Sequence, residues 1–227
     1  MNTKVIIIVA AVLCAALIGG GIYFAVRPQP TGPRQVPISA SYTDRVKAGG
    51  WTRGTTHPQV TVVEYGDFQC PACYNYFPIV ERSYADTKDI AQFVFRQYPL
   101  QQHNKAMQAA KAAEAAGRQG KFWEMYNLLY TKQPEWADDT TFSFGSRLSD
   151  YAGSLGLNAD QFNADMNDPS IEDEISKDVA KGNQVPLTGT PTIVIDGTVL
   201  SNLPATSDAL TALIRQAAQR ATPSPTQ

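Results

Sequence analysis

The chain has 227 residues, with 19 Lys and Arg against 21 Asp and Glu, and a formal charge of −2 gives no electrostatic footprint for nucleic acid or another polyanion. Its three cysteines are too few for a disulfide scaffold. Beyond an apolar N-terminal segment and a spacer, roughly 185 residues remain, enough for one good-sized domain or one domain with an insertion.

Residues 5–26 form an uncharged run of about 22 residues, long enough to span a hydrocarbon core of about 30 Å as a helix. The apolar core of a cleaved signal peptide is shorter, roughly 7–15 residues, and residues 22–26 continue this run past Gly19-Gly20-Gly21. The reading is therefore an uncleaved anchor. Cys14 follows Leu13 rather than a small residue, so it reads as an apolar residue of that helix and not as a lipidation site. Lys4 on one side is nearly balanced by Arg27 and Arg34 on the other, so charge does not settle the orientation. Residues 28–37, rich in Pro, Gly and Gln, read as a spacer. After it, Asp44-Arg45-Val46 reads as a short helix and Gly49-Gly50 as a turn.

Residues 60–65 are a β-branched apolar run, predicted as a strand buried on both faces. Glu64 interrupts it. Residues 66–69 make the following turn, and a helix should start at Cys70-Pro71, because proline is favoured at the first helical position. That helix runs through Tyr76, Val80 and Tyr84 toward Lys88, and a second strand follows over residues 92–98. From 103 to 182 no strand is predicted. Helices are expected over 105–117, 122–130, 141–155, a short stretch after Asn158, and 170–181. Strand character returns over 192–196 and 198–200, with a turn at Gly197, and a last helix covers 207–220.

Cys70-Pro71-Ala72-Cys73 carries the chemistry. Disulfide exchange needs a thiolate, and at a helix start the unpaired N–H groups of Ala72 and Cys73 and the helix dipole favour negative charge on Cys70. Cys73, one turn inside, is the resolving thiol. A zinc site would need four ligands, and only His57 and His103 could join the pair. A purely structural disulfide is the remaining alternative. Glu64, six positions before Cys70, is either a desolvated carboxyl beneath the thiols that relays the Cys73 proton or an exposed or ion-paired residue at a strand end. Pro191 precedes a strand that reads as central, which suits either a cis peptide bond at a tight turn or, more simply, a trans proline in the loop. His103 is a polar surface residue or approaches the thiols; His57 is a loop residue; Phe122, Trp123, Tyr126 and Tyr130 read as core. An anchored thiol pair with no other cysteine nearby suits an oxidising exterior, so a single-pass membrane protein with its soluble domain outside the cytoplasm is expected.

Glu64 on its strand, Cys70-Pro71-Ala72-Cys73 opening a helix, and Thr190-Pro191 before Thr192-Ile193-Val194-Ile195 resemble the DsbA-like thiol–disulfide oxidoreductases of the thioredoxin superfamily. Pro99-Leu100 with His103, the Ala-rich helix, and Gln119-Gly120-Lys121-Phe122-Trp123 are similar to its membrane-anchored bacterial branch. The resemblance implies an α/β thioredoxin-like fold with an inserted all-helical domain, here preceded by a transmembrane helix. The expected division is anchor 1–27, linker and extension 28–56, thioredoxin-like domain 57–102 and 184–221, helical insertion 103–183, and tail 222–227. It implies Cys70 as nucleophile, Cys73 as resolving thiol, a proton-handling role for Glu64, and a cis Pro191. It places Thr190, Pro191, Pro71 and Ala72 against substrate. Ala72 departs from the histidine of the best-studied oxidases, which removes one stabiliser of the thiolate. The expected function is disulfide donation to reduced or misfolded exported proteins, with reoxidation by a membrane redox partner. A reductase or isomerase, and a non-catalytic peptide-binding module, are the alternatives. No nucleotide, haem or metal motif appears, so no cofactor, metal or nucleic-acid partner is expected.

Overall fold

An apolar and β-branched run interrupted only by Glu64 puts β3 (Val60–Gly66) at the centre of the sheet, where every one of its residues is buried. The computed structural model describes residues 35–37 and 49–221. β3 pairs in parallel with β4 (Ala91–Gln97), the two joined by the crossover helix α1 (Pro71–Thr87). Its other edge pairs antiparallel with β5 (Thr192–Ile195), which turns into β6 (Thr198–Leu200). Glu64 lies opposite Phe95 on one side and Ile193 on the other.

Two edge strands complete a six-stranded sheet of order β1-β6-β5-β3-β4-β2. They are β1 (Gln35–Pro37), antiparallel to β6, and β2 (Trp51–Gly54), antiparallel to β4. Both fall in the stretch read from sequence as linker and extension. β2 is held by its side chains: Trp51 stacks on Phe122 at 4.6 Å between centroids and donates its indole N–H to Glu114 at 2.7 Å. The expected anchor at 5–26, Cys14, the short helix at 44–46 and the tail 222–227 lie outside the described residues. Among the described residues no helix is long and apolar enough to cross a membrane.

α1 buries Cys73, Tyr76, Phe77, Val80, Ser83 and Thr87, one helical stripe, and shares an apolar cluster with the last helix, α8 (Ser207–Ala221). Between β4 and β5 come α2 (Ala106–Arg118), α3 (Phe122–Thr131), α4 (Gln133–Trp136), α5 (Thr141–Ser154), α6 (Ala159–Met166) and α7 (Pro169–Gly182). α2 is the axis of this group. Its alanines are small enough that α3, α5, α6 and α7 all lie against it. Side chains close the N-termini: Thr140 accepts from the Ser143 N–H at 3.1 Å, Asn158 from Gln161 at 2.8 Å and Asp168 from Ser170 at 2.9 Å. The sequence did not foresee α4. Its Trp136 is wholly buried and stacks on Phe144 at 4.4 Å. A buried ion pair between Arg96 of β4 and Asp178 of α7 ties the helices back to the sheet.

Candidate active site

β3 ends at Gly66, and only a glycine fits there: a Cβ would stand 2.8 Å from both Phe95 Cζ and the Tyr130 hydroxyl oxygen. The next four residues form the turn into α1, and the helical region holds each of them. The buried Asp67 carboxylate accepts from the N–H of Gln69 at 2.8 Å, from the N–H of Leu100 at 2.9 Å, and pairs with His103 Nδ1 at 2.6 Å. The Gln69 side chain donates to Asn104 Oδ1 at 3.1 Å and accepts from the Lys105 N–H at 2.6 Å. Gln133 of α4 donates to the carbonyls of Phe68 at 2.7 Å and Cys70 at 3.0 Å. Of these clamps, the sequence had singled out only His103, which the structure brings to the turn rather than leaving on an unrelated surface.

Cys70 caps α1 in an extended conformation, and Pro71 takes the first helical position, as expected. Both thiols are free; Cys70 is 6% exposed and Cys73 is fully buried. Pro71 and Ala72 are exposed beside them. The Thr190–Pro191 bond is cis, and the second motif lies against the first: Cys70 Sγ is 3.3 Å from the Thr190 carbonyl oxygen.

The two sulfurs are driven apart electrically. Cys70 falls to about 5, chiefly because the Cys73 thiol donates to it; partial burial opposes this, and Thr190 and the N–H groups of Cys73 and Ala72 reinforce it. The Thr190 hydroxyl has no hydrogen bond of proper geometry among the described residues, but lies close enough to favour the anion. The Thr190 carbonyl is an acceptor for the protonated thiol only, so it works the other way. Burial, then the neighbouring Cys70 sulfur, pushes Cys73 well above the usual thiol range. One sulfur is an anion at neutral pH; its neighbour three residues on keeps its proton.

Glu64 is 5% exposed, and burial lifts its carboxyl to about 7. The Tyr126 hydroxyl, donating to it at 3.1 Å, and the Arg53 charge both pull it back down. Arg53 reaches over from β2, its guanidinium 4.0 Å from the Tyr84 ring centre and 4.1 Å from that of Trp123, and it pairs with Glu81 of α1. Of the two sequence readings of Glu64, the structure has the desolvated carboxyl. It bonds Tyr126, however, and makes no direct hydrogen bond to Cys73 among the described residues. Nor, among those residues, does any group of three or more His, Cys, Asp or Glu side chains come together as a metal site.

The family described as Thioredoxin matches residues 47–216. A protein called Na(+)/H(+) antiporter NhaA 1 from Mycolicibacterium gilvum is 32% identical over 175 residues, covering 75% of this chain and 26% of its own. Another of that name, from Salinispora arenicola, is 40% identical over 146 residues, covering 64% of this chain and 21% of its own. The chain thus spans about a quarter of the length of the curated relatives it matches. Among solved structures, oxidised BdbD from Bacillus subtilis has a TM-score of 0.64 at 23% identity, covering 83% of this chain and all of that one. The thiol-disulfide exchange protein alpha-DsbA2 from Wolbachia pipientis has a TM-score of 0.65 at 20% identity, covering 81% and 93%. At such identities these likenesses establish the fold, which is thioredoxin-like with added helices.

Proposed function

The chain belongs to the thioredoxin family, and from that we propose that it is a protein thiol–disulfide oxidoreductase working through Cys70 and Cys73. One arrangement carries this reading: two thiols three residues apart at the start of α1, with Cys70 at the N-cap and against Thr190, a setting that lowers Cys70 and raises Cys73. In the oxidising direction a substrate thiolate attacks Cys70 of the Cys70–Cys73 disulfide. The bond between the two cysteines breaks, Cys73 leaves with its electron pair and takes a proton, and a mixed disulfide joins Cys70 to substrate. A second substrate thiolate attacks the substrate sulfur and expels Cys70 as its stable anion, so the substrate is oxidised and the enzyme reduced. A leaving group stabilised as a thiolate favours this direction, because it stabilises the reduced enzyme and makes its disulfide the stronger oxidant. Glu64 handles the Cys73 proton. Pro71, Ala72, Thr190 and Pro191 face the substrate, a role supported by the exposure of the first two and the approach of Thr190 to Cys70.

The setting we propose is extracytoplasmic: residues 5–26 as a single-pass anchor, 28–56 as connection, 57–102 and 184–221 as the redox domain and 103–183 as its helical insertion. Reduced exported proteins are then the substrates, and a membrane redox partner restores the disulfide. The length of the apolar run and the confinement of the other cysteines to one motif support this setting. Catalysed oxidative refolding of a reduced, disulfide-containing protein tests the activity: wild type should accelerate it and Cys70→Ser should not. Equal rates would leave a non-catalytic peptide-binding module. Equilibration with glutathione tests the direction, since a potential near thioredoxin's, about −270 mV, would assign a reductase or isomerase instead.

A further inference from the structure

A groove in the helical region has no part in the chemistry above. It lies between α2, α5 and α6 and holds about 470 Å³, within the size range of ligand sites, about 300–1,000 Å³. Its walls combine two chemistries. The side-chain amides of Asn104, Gln108, Asn163 and Asn167 line it, and so do the thioethers of Met107 and Met166. Each amide offers donors and an acceptor, which match the C=O and N–H of a peptide backbone. Methionines adapt to side chains of differing shape. The Gln108 carbonyl oxygen is buried without a hydrogen-bond partner among the described residues, a defect that a donor laid in the groove would remove. The one charged side chain on the walls, Lys111, is already paired with Glu172 at 2.7 Å, so no bare cation is left there to hold a small anion.

The groove starts at the turn that carries Cys70. Asn104 accepts from the Gln69 side chain at 3.1 Å, and Gln69 adjoins Cys70 in the chain. The same side chain donates to the Ala137 carbonyl at 3.2 Å, which ties the turn to the loop leading into α5. That loop delivers Thr141 to the groove and, next to it, Phe142 to solvent. Phe142 is 86% exposed, the one large hydrophobic side chain so placed among the described residues. The surrounding segment is acidic: residues 133–174 carry ten Asp and Glu against one basic residue, Arg147. Ion pairs with Lys111, Arg118, Lys132 and Arg147 take up part of this charge. Asp138, Asp150, Asp160 and Asp173 are exposed and have no ion pair among the described residues.

We propose that this groove docks an extended segment of the substrate polypeptide, one with apolar side chains and Lys or Arg, while the substrate cysteine reacts at Cys70. The inference rests on the thiol–disulfide reading above and names the kind of substrate that reading takes. A reduced, unfolded chain presents what the walls match: unpaired backbone amides, exposed apolar side chains and no fixed shape. Its N–H and C=O groups meet the four side-chain amides, and its side chains settle against Met107 and Met166. Phe142 covers an apolar residue at the edge. The acidic field draws Lys and Arg and rejects acidic segments. At about 3.3 Å per extended residue, a segment a few residues from the substrate cysteine reaches Asn104. A folded product has its backbone groups paired and its apolar side chains buried, so it loses these contacts and leaves. The groove holds the chain and not the reacting sulfur, so it acts on KM and not on the exchange step.

The test uses the full chain and a fluorescent, cysteine-free peptide of about twelve residues, about 40 Å when extended, built from Leu, Gly and Lys. Binding is read by anisotropy. Asn163 is exposed on α6, and Asn163→Trp fills the groove; Phe142→Ser removes the contact at its edge. Each should weaken binding about five- to tenfold. Raising salt from about 0.05 M to about 0.5 M should weaken it too, and a peptide with Glu in place of Lys should bind less tightly. In the second measurement the disulfide form oxidises the same peptide carrying two cysteines. Both variants should raise KM about five- to tenfold at unchanged kcat, and neither should change the rate with dithiothreitol, which has no chain to dock. No peptide binding by the wild type, binding that both variants leave intact, or equal binding of the Lys and Glu peptides would overturn the proposal. So would rates on dithiothreitol that fall as far as those on peptide, since that marks damage to the thiol centre. Peptide binding with no oxidation of dithiothreitol would instead overturn the thiol–disulfide reading.

Discussion

Removing the Cys73 thiol should make Cys70 a weaker acid by a definite amount. The Cys73 S–H is the largest single support of the Cys70 anion, which titrates at about 5. A hydrogen bond to a charged group contributes about 1.5–3 kcal/mol, and one pKa unit is about 1.4 kcal/mol. Cys73→Ala, which cannot donate, should therefore raise Cys70 by about one to two units, to about 6–7. The remaining depression belongs to Thr190 and to the N–H groups of Ala72 and Cys73, which the substitution leaves in place. The assay is the rate of iodoacetamide alkylation against pH, resolved by peptide so that Cys14 does not contribute. A midpoint that does not move would refute the assignment to Cys73. A midpoint at the free-cysteine value of about 8.5 would show that the helix start contributes nothing.

Glu64 gives a stability signature of known sign. Its folded pKa, about 7, lies above the ordinary 4.5, so its contribution is present below about 4.5 and lost as pH rises through 7. Glu64→Gln should abolish a loss of up to about 3 kcal/mol, so urea melts of the two proteins should diverge between acidic and mildly alkaline pH; a constant difference across that range contradicts the burial argument. Gly117→Ala should destabilise, by about 1–3 kcal/mol, although alanine ordinarily helps a helix. A Cβ there would stand 2.9 Å from Trp51 Cε2 and closer to other atoms of that ring, displacing the side chain that pins β2; thermal melting reads the sign, and a rise would show that Trp51 yields freely. Gln133→Met keeps the volume and removes the donor to the carbonyls of Phe68 and Cys70. It should cost about 1–3 kcal/mol and slow alkylation of Cys70, and unchanged alkylation would show that the turn holds its shape without α4.

Structure was legible in the sequence where local signals and burial coincide. The run at 60–65 reads as a strand buried on both faces, and β3 is buried at every residue with a strand paired on each edge; Cys70-Pro71 announces a helix start on its own. β2 gave no such signal. Trp51-Thr52-Arg53-Gly54 is a four-residue edge strand whose residues alternate between half-buried and exposed, and it is held by Glu114, 63 positions away. α4 is a single turn anchored by the buried Trp136, which stacks on Phe144. The thiols and Glu64 could be read because their residue types are unusual in their places: a carboxyl inside an apolar strand, two thiols at a helix start. Gln133 and Asp67 could not. A glutamine or an aspartate is ordinary in any loop, and what gives these two a role is the return of the chain to the turn after 33 to 65 residues. Tyr130 reads as a core aromatic from the sequence, and the structure places its ring in the core.

The most direct measurement is adduct trapping. Reduced protein carrying Cys73→Ser, which cannot resolve what Cys70 captures, is mixed at neutral pH with a peptide disulfide and analysed by intact mass and peptide mapping. The account predicts one peptide attached through Cys70, formed within the time the wild type needs to release free peptide thiol. A protein that stays unmodified at Cys70, or reacts there no faster than a free cysteine, would contradict it.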